Sequence, residues 1–290
     1  MNYPQRIDLH MHSTVSDGTD TPSELLEKVR ESGLELFALT DHDAAKGSDV
    51  IIDQLREGDP VFINGAEFSC RDEGGKYHIL GYGFDPASTG VAGLIETGHS
   101  IRMKKVRARI ERLKEEFSFD FSDEDKNTLF ASDNPGKPHI ANLMVKYGFA
   151  ETKESAMKDY LNRIRLKSEY IRPETAIDGI LKSGGIPVLA HPFYGSGDEL
   201  ILGEEMEERL SRLCGMGLLG VEAFYSGFTP KLTRGMISLA ERFGLYVTAG
   251  SDYHGKNKSM ISIGDIGALN DVAQVEGFKR FYGDVRKWQK

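Results

Sequence analysis

This chain of 290 residues has few cysteines, no long apolar run and no excess of positive charge. Two cysteines, Cys70 and Cys214, are too few for a disulfide framework, so a reducing compartment, the cytoplasm, is expected. No apolar stretch approaches the roughly 18 residues of a membrane helix, and no apolar signal segment precedes the first strand. The 45 acidic residues outnumber the 36 basic ones, giving a formal net charge of −9. We therefore expect no membrane association and no binding of long nucleic acid, which requires a broad basic surface.

Apolar strands alternate with helices along most of the chain. The segment Thr21-Pro22-Ser23-Glu24, with proline in the first turn, predicts the start of the first helix, and Gly33 predicts its end. Such alternation predicts an α/β fold with a mainly parallel sheet, closed or nearly closed into a seven-stranded β/α barrel. The predicted strands are 6–10, 36–39, 61–66, 76–83, 186–190, 218–223 and 245–249.

The interval 101–170 breaks this pattern because it is helical in character and contains no convincing apolar strand. We expect residues 1–100 and 171–290 to form the barrel, and 101–170 to form a small helical insertion over one end of it. The first helix of the insertion, 101–114, holds seven basic residues and one acidic residue. Such a helix is either a solvated face or a phosphate-holding lid.

Six of the eight histidines stand at the end of an apolar run, most of them beside an acidic residue. Imidazole and carboxylate groups bind borderline divalent metals, and the strand ends of a barrel gather its reactive groups. The repeated placement predicts one metal site assembled from the whole chain. The candidate ligands are His10, His12, Asp17, His42, Glu67, His78, His191, Asp252 and His254.

These residues and their neighbours resemble the motifs of the polymerase and histidinol phosphatase (PHP) family. The motifs are His10-Met11-His12, Ser16-Asp17-Gly18, Thr40-Asp41-His42, Glu67, His78, His191-Pro192 and Gly250-Ser251-Asp252-Tyr253-His254-Gly255. The resemblance covers nearly the whole chain in order and is greatest to the stand-alone metal-dependent phosphoesterases. It implies a distorted seven-stranded barrel, a helical insertion after the fourth strand, and three metal ions at the strand ends.

The resemblance also implies how the ligands divide among the three ions. One metal would take His10, His12, Glu67 and Asp252; a second would take Asp17, His42 and His254; a third would take His78 and His191, with Glu67 as a bridge. A carboxylate with two oxygens can span two cations, whereas an imidazole cannot. Mixed nitrogen and oxygen ligation suits manganese, iron or zinc better than calcium or magnesium.

Metal-dependent hydrolysis of a small phosphorylated substrate is the expected function. A hydroxide bridging two cations would be the nucleophile, because metal binding lowers the pKa of water to roughly 7. The substrate would be a nucleoside 3′,5′-bisphosphate, a sugar phosphate or a cyclic phosphate. Three alternatives are a 5′-to-3′ exoribonuclease acting on short RNA, an amidohydrolase, and a metal-poor module like those attached to some polymerases. Amidohydrolases generally need a bridging lysine, and this chain offers Glu67 as the bridge.

Candidate substrate contacts lie in the insertion, at Lys137-Pro138-His139. This segment resembles a basic helix start found in nucleotide-cleaving members of the family, although lysine lacks the bidentate geometry of arginine. His139 at a helix N-terminus would hold an anion together with free backbone N–H groups, or would simply cap the helix.

Overall fold

The computed structural model describes residues 3–167, 169–194 and 200–289, and within them a seven-stranded sheet curls into a barrel. The barrel closes where the Leu9 N–H donates to the Ala249 carbonyl at 2.9 Å and where Met11 bridges Tyr253 in parallel. The α/β barrel expected from the sequence is therefore confirmed. Its strands are β1 (Ile7–Asp8), β2 (Leu36–Leu39), β3 (Val61–Asp72), β4 (Gly75–Tyr82), β5 (Ile186–Leu189), β6 (Gly220–Tyr225) and β7 (Tyr246–Gly250).

Strand β4 runs antiparallel to both of its neighbours, whereas the other neighbouring strands pair in parallel. The reversal follows from a tight turn after Asp72, because a short turn can join only antiparallel strands. Pairing extends from Gly65 opposite Tyr82 to Asp72 opposite Gly75. This ladder carries β3 six residues beyond Ala66, where the sequence pattern predicted that the strand ends.

Helices cover the outside of the barrel and build the insertion. Helix α1 begins with a reciprocal capping box between Thr21 and Glu24 and ends at Gly33, whose φ of 71° is left-handed. The helices are α1 (Pro22–Ser32), α2 (Lys46–Gln54), α3 (Thr89–Phe117), α4 (Asp123–Phe130), α5 (Lys137–Lys146), α6 (Lys153–Ser155, continued by a π-helical turn at Ala156–Leu161), α7 (Pro173–Lys182), α8 (Gly203–Gly215), α9 (Pro230–Phe243) and α10 (Glu276–Asp284).

Helix α3 crosses the expected boundary at residue 101, because it begins at Thr89 behind a Ser88 cap. Its first turns bury Val91 and Leu94 in the main barrel core. Its later turns bury Val106 in a separate hydrophobic cluster with residues of α4, α5 and the π-helical turn. One continuous helix thus connects two hydrophobic clusters.

Three polar contacts tie the insertion to the barrel end. Arg102 of α3 donates to Asp43 at 2.7 Å through Nη2 and at 3.2 Å through Nε. Lys153 donates to Asn257 at 3.0 Å, and the Asn134 amide donates to the carbonyl of His42. These contacts hold the insertion over the loops that follow β2 and β7. No helix among the described residues is long and apolar enough to cross a membrane.

Candidate metal centre

All nine predicted ligands lie together at the barrel end that the insertion covers. In parallel strands the carboxyl ends meet at one face, which explains the position of the residues that follow β1, β2, β5 and β7. His78 stands near the start of β4 rather than its end, and the antiparallel direction of β4 brings it to the same face. On the β3–β4 ladder His78 is paired with Ser69, so it lies diagonally from Glu67 on one face of the sheet.

Glu67 is the centre of the cluster, and its side chain is 1% exposed. Five imidazoles surround its carboxylate, and each oxygen faces a different set. The Oε2 atom lies 3.4 Å from His10 Nε2, 3.3 Å from His12 Nε2 and 3.0 Å from His42 Nδ1, while Oε1 lies 2.8 Å from His78 Nδ1 and 3.3 Å from His191 Nε2. This geometry matches a carboxylate that divides its oxygens between two neighbouring sites.

Asp17 and Asp252 complete the cluster on the side of β7. Asp17 Oδ1 lies 3.2 Å from His254 Nε2, and Asp17 Oδ2 lies 3.9 Å from His42 Nε2. Asp252 Oδ1 lies 3.4 Å from His12 Nε2 and 3.7 Å from His10 Nε2. Both carboxylates therefore point an oxygen at imidazole nitrogens.

Among the residues that the structure describes, ligand atoms within 4.8 Å of one another form three overlapping groups: His10, His12 and Glu67; Asp17, His42, His254 and His12; and His42, Glu67 and His78. The first two contain the core of the expected first and second ligand sets. In the third group His42 stands where the resemblance implied His191. His191 lies beside this group, with its ring 5.1 Å from that of His78.

Several buried polar atoms of the cluster lack a hydrogen-bond partner within the described ranges, although their neighbours are close. They are His10 Nε2, His12 Nε2, His42 Nδ1, Glu67 Oε2 and His78 Nδ1. A buried polar atom without a partner destabilises the folded state by about 1–3 kcal/mol, so such atoms are rarely gathered without a reason. Convergent nitrogen and oxygen lone pairs form the donor set of a divalent cation, and these residues fit one.

Two imidazoles have their second nitrogen fixed by an acceptor. His10 Nδ1 lies 3.0 Å from Glu222 Oε1, and His254 Nδ1 lies 2.8 Å from the carbonyl of Asp252. In each case Nδ1 donates its hydrogen, which leaves Nε2 as an acceptor facing the cluster. Metal-binding histidines typically have such an outer partner, which sets the tautomer and the ring orientation.

The carboxylates of the cluster remain ionised. Burial alone would raise the pKa of Glu67, but His78, His42 and His10 outweigh burial and hold this pKa well below its usual value. Burial would likewise raise the pKa of Asp252, but Lys258, His10, His254 and His12 together hold this pKa well below its usual value. The ionised carboxylates offer anionic oxygen ligands to a cation that takes the place of the imidazole protons.

Backbone strain accompanies two of the candidate ligands. His191 has a φ of 28° and Asp252 a φ of 60°, values that side chains with a Cβ rarely adopt. Each such conformation is unfavourable by about 1–3 kcal/mol and persists where the surrounding structure enforces it. At His191 the N–H donates to Glu222 Oε2 at 2.8 Å, and at Asp252 the N–H donates to the His10 carbonyl at 2.8 Å.

Sequence reasoning missed two residues that contact the cluster, Glu222 and Lys258. Glu222 stands inside the apolar strand β6, beside a register shift that ends at Phe224. Tyr225 and Lys258 both donate to Asp252 Oδ2, at 2.9 Å and 2.6 Å. The lone carboxylate within an apolar run was a readable signal for Glu222. No motif marks Lys258, because its contact depends on the loop after β7.

A cleft of about 460 Å³ lies between the cluster and the insertion. Its barrel side includes Asp17, His42, His78 and His254. Its insertion side is basic, with Arg102, Lys105, Arg109 and Lys137, and Lys76 of β4 also lines the cleft. Candidate metal ligands therefore line one part of the cleft, and basic side chains line another.

The basic helix of the insertion divides its charges between this cleft and solvent. Lys105 and Arg109 line the cleft, whereas Arg107 lies over the Phe130 ring at 4.0 Å. Arg109 Nε is buried and has no hydrogen-bond partner in the described part of the chain. Burial lowers the pKa of Lys105 to about 7, with Arg102, Arg109 and Lys76 acting in the same direction and only Asp43 opposing.

The two predicted substrate contacts occupy different positions. Lys137 lines the cleft and donates to Asn162 at 2.7 Å, and burial lowers its pKa to about 8. His139 accepts the N–H of Gly136 on Nδ1 at 3.1 Å, which is the capping geometry. Lys137 therefore has access to a ligand, while one nitrogen of His139 is engaged by its own helix.

A protein-family model and several known proteins match this chain. The PHP domain model matches residues 8–175 of this chain. The 3′,5′-nucleoside bisphosphate phosphatase of Chromobacterium violaceum is 30% identical over 269 residues, covering 89% of this chain and 90% of that protein. The 5′-3′ exoribonuclease of Haemophilus influenzae is 28% identical over 253 residues, covering 86% and 90%.

A solved structure from Bifidobacterium adolescentis, assigned to the metal-dependent phosphoesterases, superposes with a TM-score of 0.76. Its sequence is 27% identical, and the superposition covers 93% of this chain and 94% of that one. The similarity therefore includes the insertion as well as the barrel.

Proposed function

This chain belongs to the PHP domain family, and on that premise we propose that it is a metal-dependent phosphoesterase acting on a small phosphorylated substrate. The observation that carries the proposal is the convergence of nine nitrogen and oxygen ligands around Glu67, with partnerless lone pairs directed at one another. No serine or cysteine nucleophile stands in a suitable motif, so the reaction depends on activated water.

The nine side chains would hold three divalent cations, and manganese, iron or zinc suits their mixed donor set. Bound cations would supply an acidic water and neutralise charge on the phosphoryl oxygens. The protein's own part is to keep Glu67, Asp17 and Asp252 ionised and to fix His10 through Glu222.

The basic wall of the cleft supports a substrate with a second anionic group. Lys105, Arg109 and Lys137 face the metal cluster across a cleft whose volume is typical of small-ligand sites, roughly 300–1,000 Å³. We propose that residues 101–170 form a cap whose cations hold this group while the cluster receives the scissile phosphate. A nucleoside 3′,5′-bisphosphate carries phosphates at both ends, and a similar relative is named for that substrate.

A second candidate function is 5′-to-3′ cleavage of short RNA. The row of cations along α3 lines the cleft and would track a phosphate backbone. A similar relative is named a 5′-3′ exoribonuclease, which supports this second candidate. The volume of the cleft favours a mononucleotide over an oligonucleotide.

The test is phosphate release from a panel of nucleoside bisphosphates, sugar phosphates, cyclic phosphates and 5′-phosphorylated short RNAs. We expect turnover with manganese, iron or zinc and none with excess chelator. The His42→Ala variant should be inactive, and His99→Ala, which removes an exposed histidine of α3, should match the wild type. Turnover that survives both chelator and His42→Ala would overturn the proposal.

A further inference from the structure

Two side chains donate to the same oxygen of Asp252, yet only one of them reaches the cleft. Lys258, at the end of a short 3₁₀ turn after β7, lines the cleft beside Asp17, His42 and His254. Tyr225 is absent from the cleft lining formed by the described residues. Its ring packs against other rings, with centroids 5.2 Å from Phe228, 6.1 Å from Tyr194 and 5.5 Å from His191.

The Lys258 ammonium has donors to spare for a ligand. An ammonium carries three N–H groups, and Asp252 Oδ2 accepts one of them at 2.6 Å. Because Asp252 Oδ1 faces His10 and His12, the contact holds the ammonium at the edge of the metal cluster. The side chain is 38% exposed, so a ligand in the cleft can reach the remaining donors.

We propose that Lys258 is a catalytic residue that donates to the scissile phosphate, with Asp252 holding its ammonium in place. The inference rests on the proposed phosphoesterase function. A phosphoryl group in the reaction bears negative charge on its non-bridging oxygens, and a fixed cation beside them stabilises that charge. Lys258 reaches the cleft from the turn that follows β7, whereas the other cations named above come from the insertion or from β4.

A purely structural role for Lys258 predicts a different result, and a Tyr225 variant distinguishes the two roles. If Lys258 serves only to orient Asp252, removing either donor to Asp252 Oδ2 should have the same effect. If Lys258 also binds the phosphate, the two variants should differ. Tyr225→Phe is thus the matched control for Lys258→Met.

The experiment measures metal content, turnover and the affinity for inorganic phosphate in Lys258→Met, Lys258→Gln, Lys258→Arg and Tyr225→Phe. Calorimetric phosphate binding provides a readout that does not depend on turnover. Removing a donor that acts on the transition state typically lowers kcat about 100-fold, and we expect that loss in Lys258→Met and Lys258→Gln. Both should bind phosphate about tenfold more weakly while metal content stays at the wild-type level. Lys258→Arg should recover phosphate binding, and Tyr225→Phe, which loses the other donor to Asp252, should weaken phosphate binding much less than Lys258→Met does.

Equal losses in Lys258→Met and Tyr225→Phe, or metal loss that accounts for the fall in turnover, would overturn the inference. Unchanged phosphate affinity in the folded Lys258→Gln variant would also overturn it. The proposed function fails separately, if the metal-loaded wild type hydrolyses no phosphate ester. In that event phosphate binding by the same variants still decides whether Lys258 contacts the anion.

Discussion

His10 and Glu222 form a buried pair in which the imidazole donates Nδ1–H to Oε1 at 3.0 Å. The other oxygen of Glu222 accepts the N–H of His191, so one carboxylate fixes ligand candidates from two different strands. A carboxylate has no hydrogen to donate and can accept both bonds. An amide at this position has only one oxygen to offer.

We predict that Glu222→Gln lowers the affinity for divalent metal by about 10- to 100-fold, the range typical of lost outer partners. The amide must present its NH₂ group to one of the two donors, which reorients either His10 or the His191 backbone. Competition with a metal-binding dye measures the change. Glu241→Gln, an exposed carboxylate on α9, should leave metal affinity unchanged. Equal metal affinity in both variants would contradict the role of Glu222.

Arg109 and Arg107 provide a test of the basic wall, because they share α3 and only Arg109 faces the cleft. Arg109→Ala should raise KM for a nucleoside bisphosphate about tenfold, since a hydrogen bond to a charged group contributes about 1.5–3 kcal/mol. Arg107→Ala should change KM little.

Charge reversal at the same two positions distinguishes the candidate functions. If Arg109→Glu harms cleavage of short RNA much more than cleavage of a mononucleotide, the exoribonuclease assignment gains support. Equal effects on both substrates would remove the structural argument for RNA. Steady-state kinetics on a mononucleotide and a 5′-phosphorylated tetranucleotide give the comparison.

The cleft should bind its anionic substrate more weakly as pH rises above neutrality. The pKa of Lys105 is lowered to about 7 and that of Lys137 to about 8, in both cases mainly by burial. Both lysines lose their positive charge as pH rises through these values, so KM should increase between pH 7 and pH 9. Lys105→Arg keeps its charge in this range and should flatten the profile. A wild-type KM that is constant over the interval would contradict the expectation.

The proposed division into barrel and cap predicts that the two hydrophobic clusters respond separately to cavities. Ile140, in α5, and Ile180, in α7, are both fully buried, the first in the insertion cluster and the second in the barrel cluster. Replacing either isoleucine with alanine should lower the free energy of unfolding of its own cluster by about 2–5 kcal/mol. Hydrogen exchange should accelerate in 101–170 alone in Ile140→Ala, and in the barrel in Ile180→Ala. Uniform acceleration of the whole chain in both variants would contradict the division.

The positions of most strands were predictable because the local pattern of apolar residues sets them, although β3 extends six residues beyond its predicted end. The predicted strand 36–39 coincides with β2, and α1 ends at the predicted Gly33. Histidine at the ends of such runs marked the cluster in the sequence. The turn after Asp72 forms the hairpin that brings His78 to the same face.

What the sequence could not show depends on contacts between distant segments. Glu222 looks like an unfavourable charge within β6 until His10, 212 residues away, is placed beside it. The start of α3 at Thr89 depends on packing of Leu94 against the barrel, so composition alone did not show that this helix begins within the barrel. The partition of His42 and His191 among ligand groups depends on ring positions that spacing does not determine.

The most direct test of the account is anomalous diffraction from crystals of the manganese-loaded protein. We predict three anomalous peaks inside the nine-residue cluster, each within bonding distance of at least two of its side chains, with Glu67 shared between two of them. Anomalous density elsewhere in the molecule, and none around Glu67, would contradict the central claim that these side chains bind the metal ions.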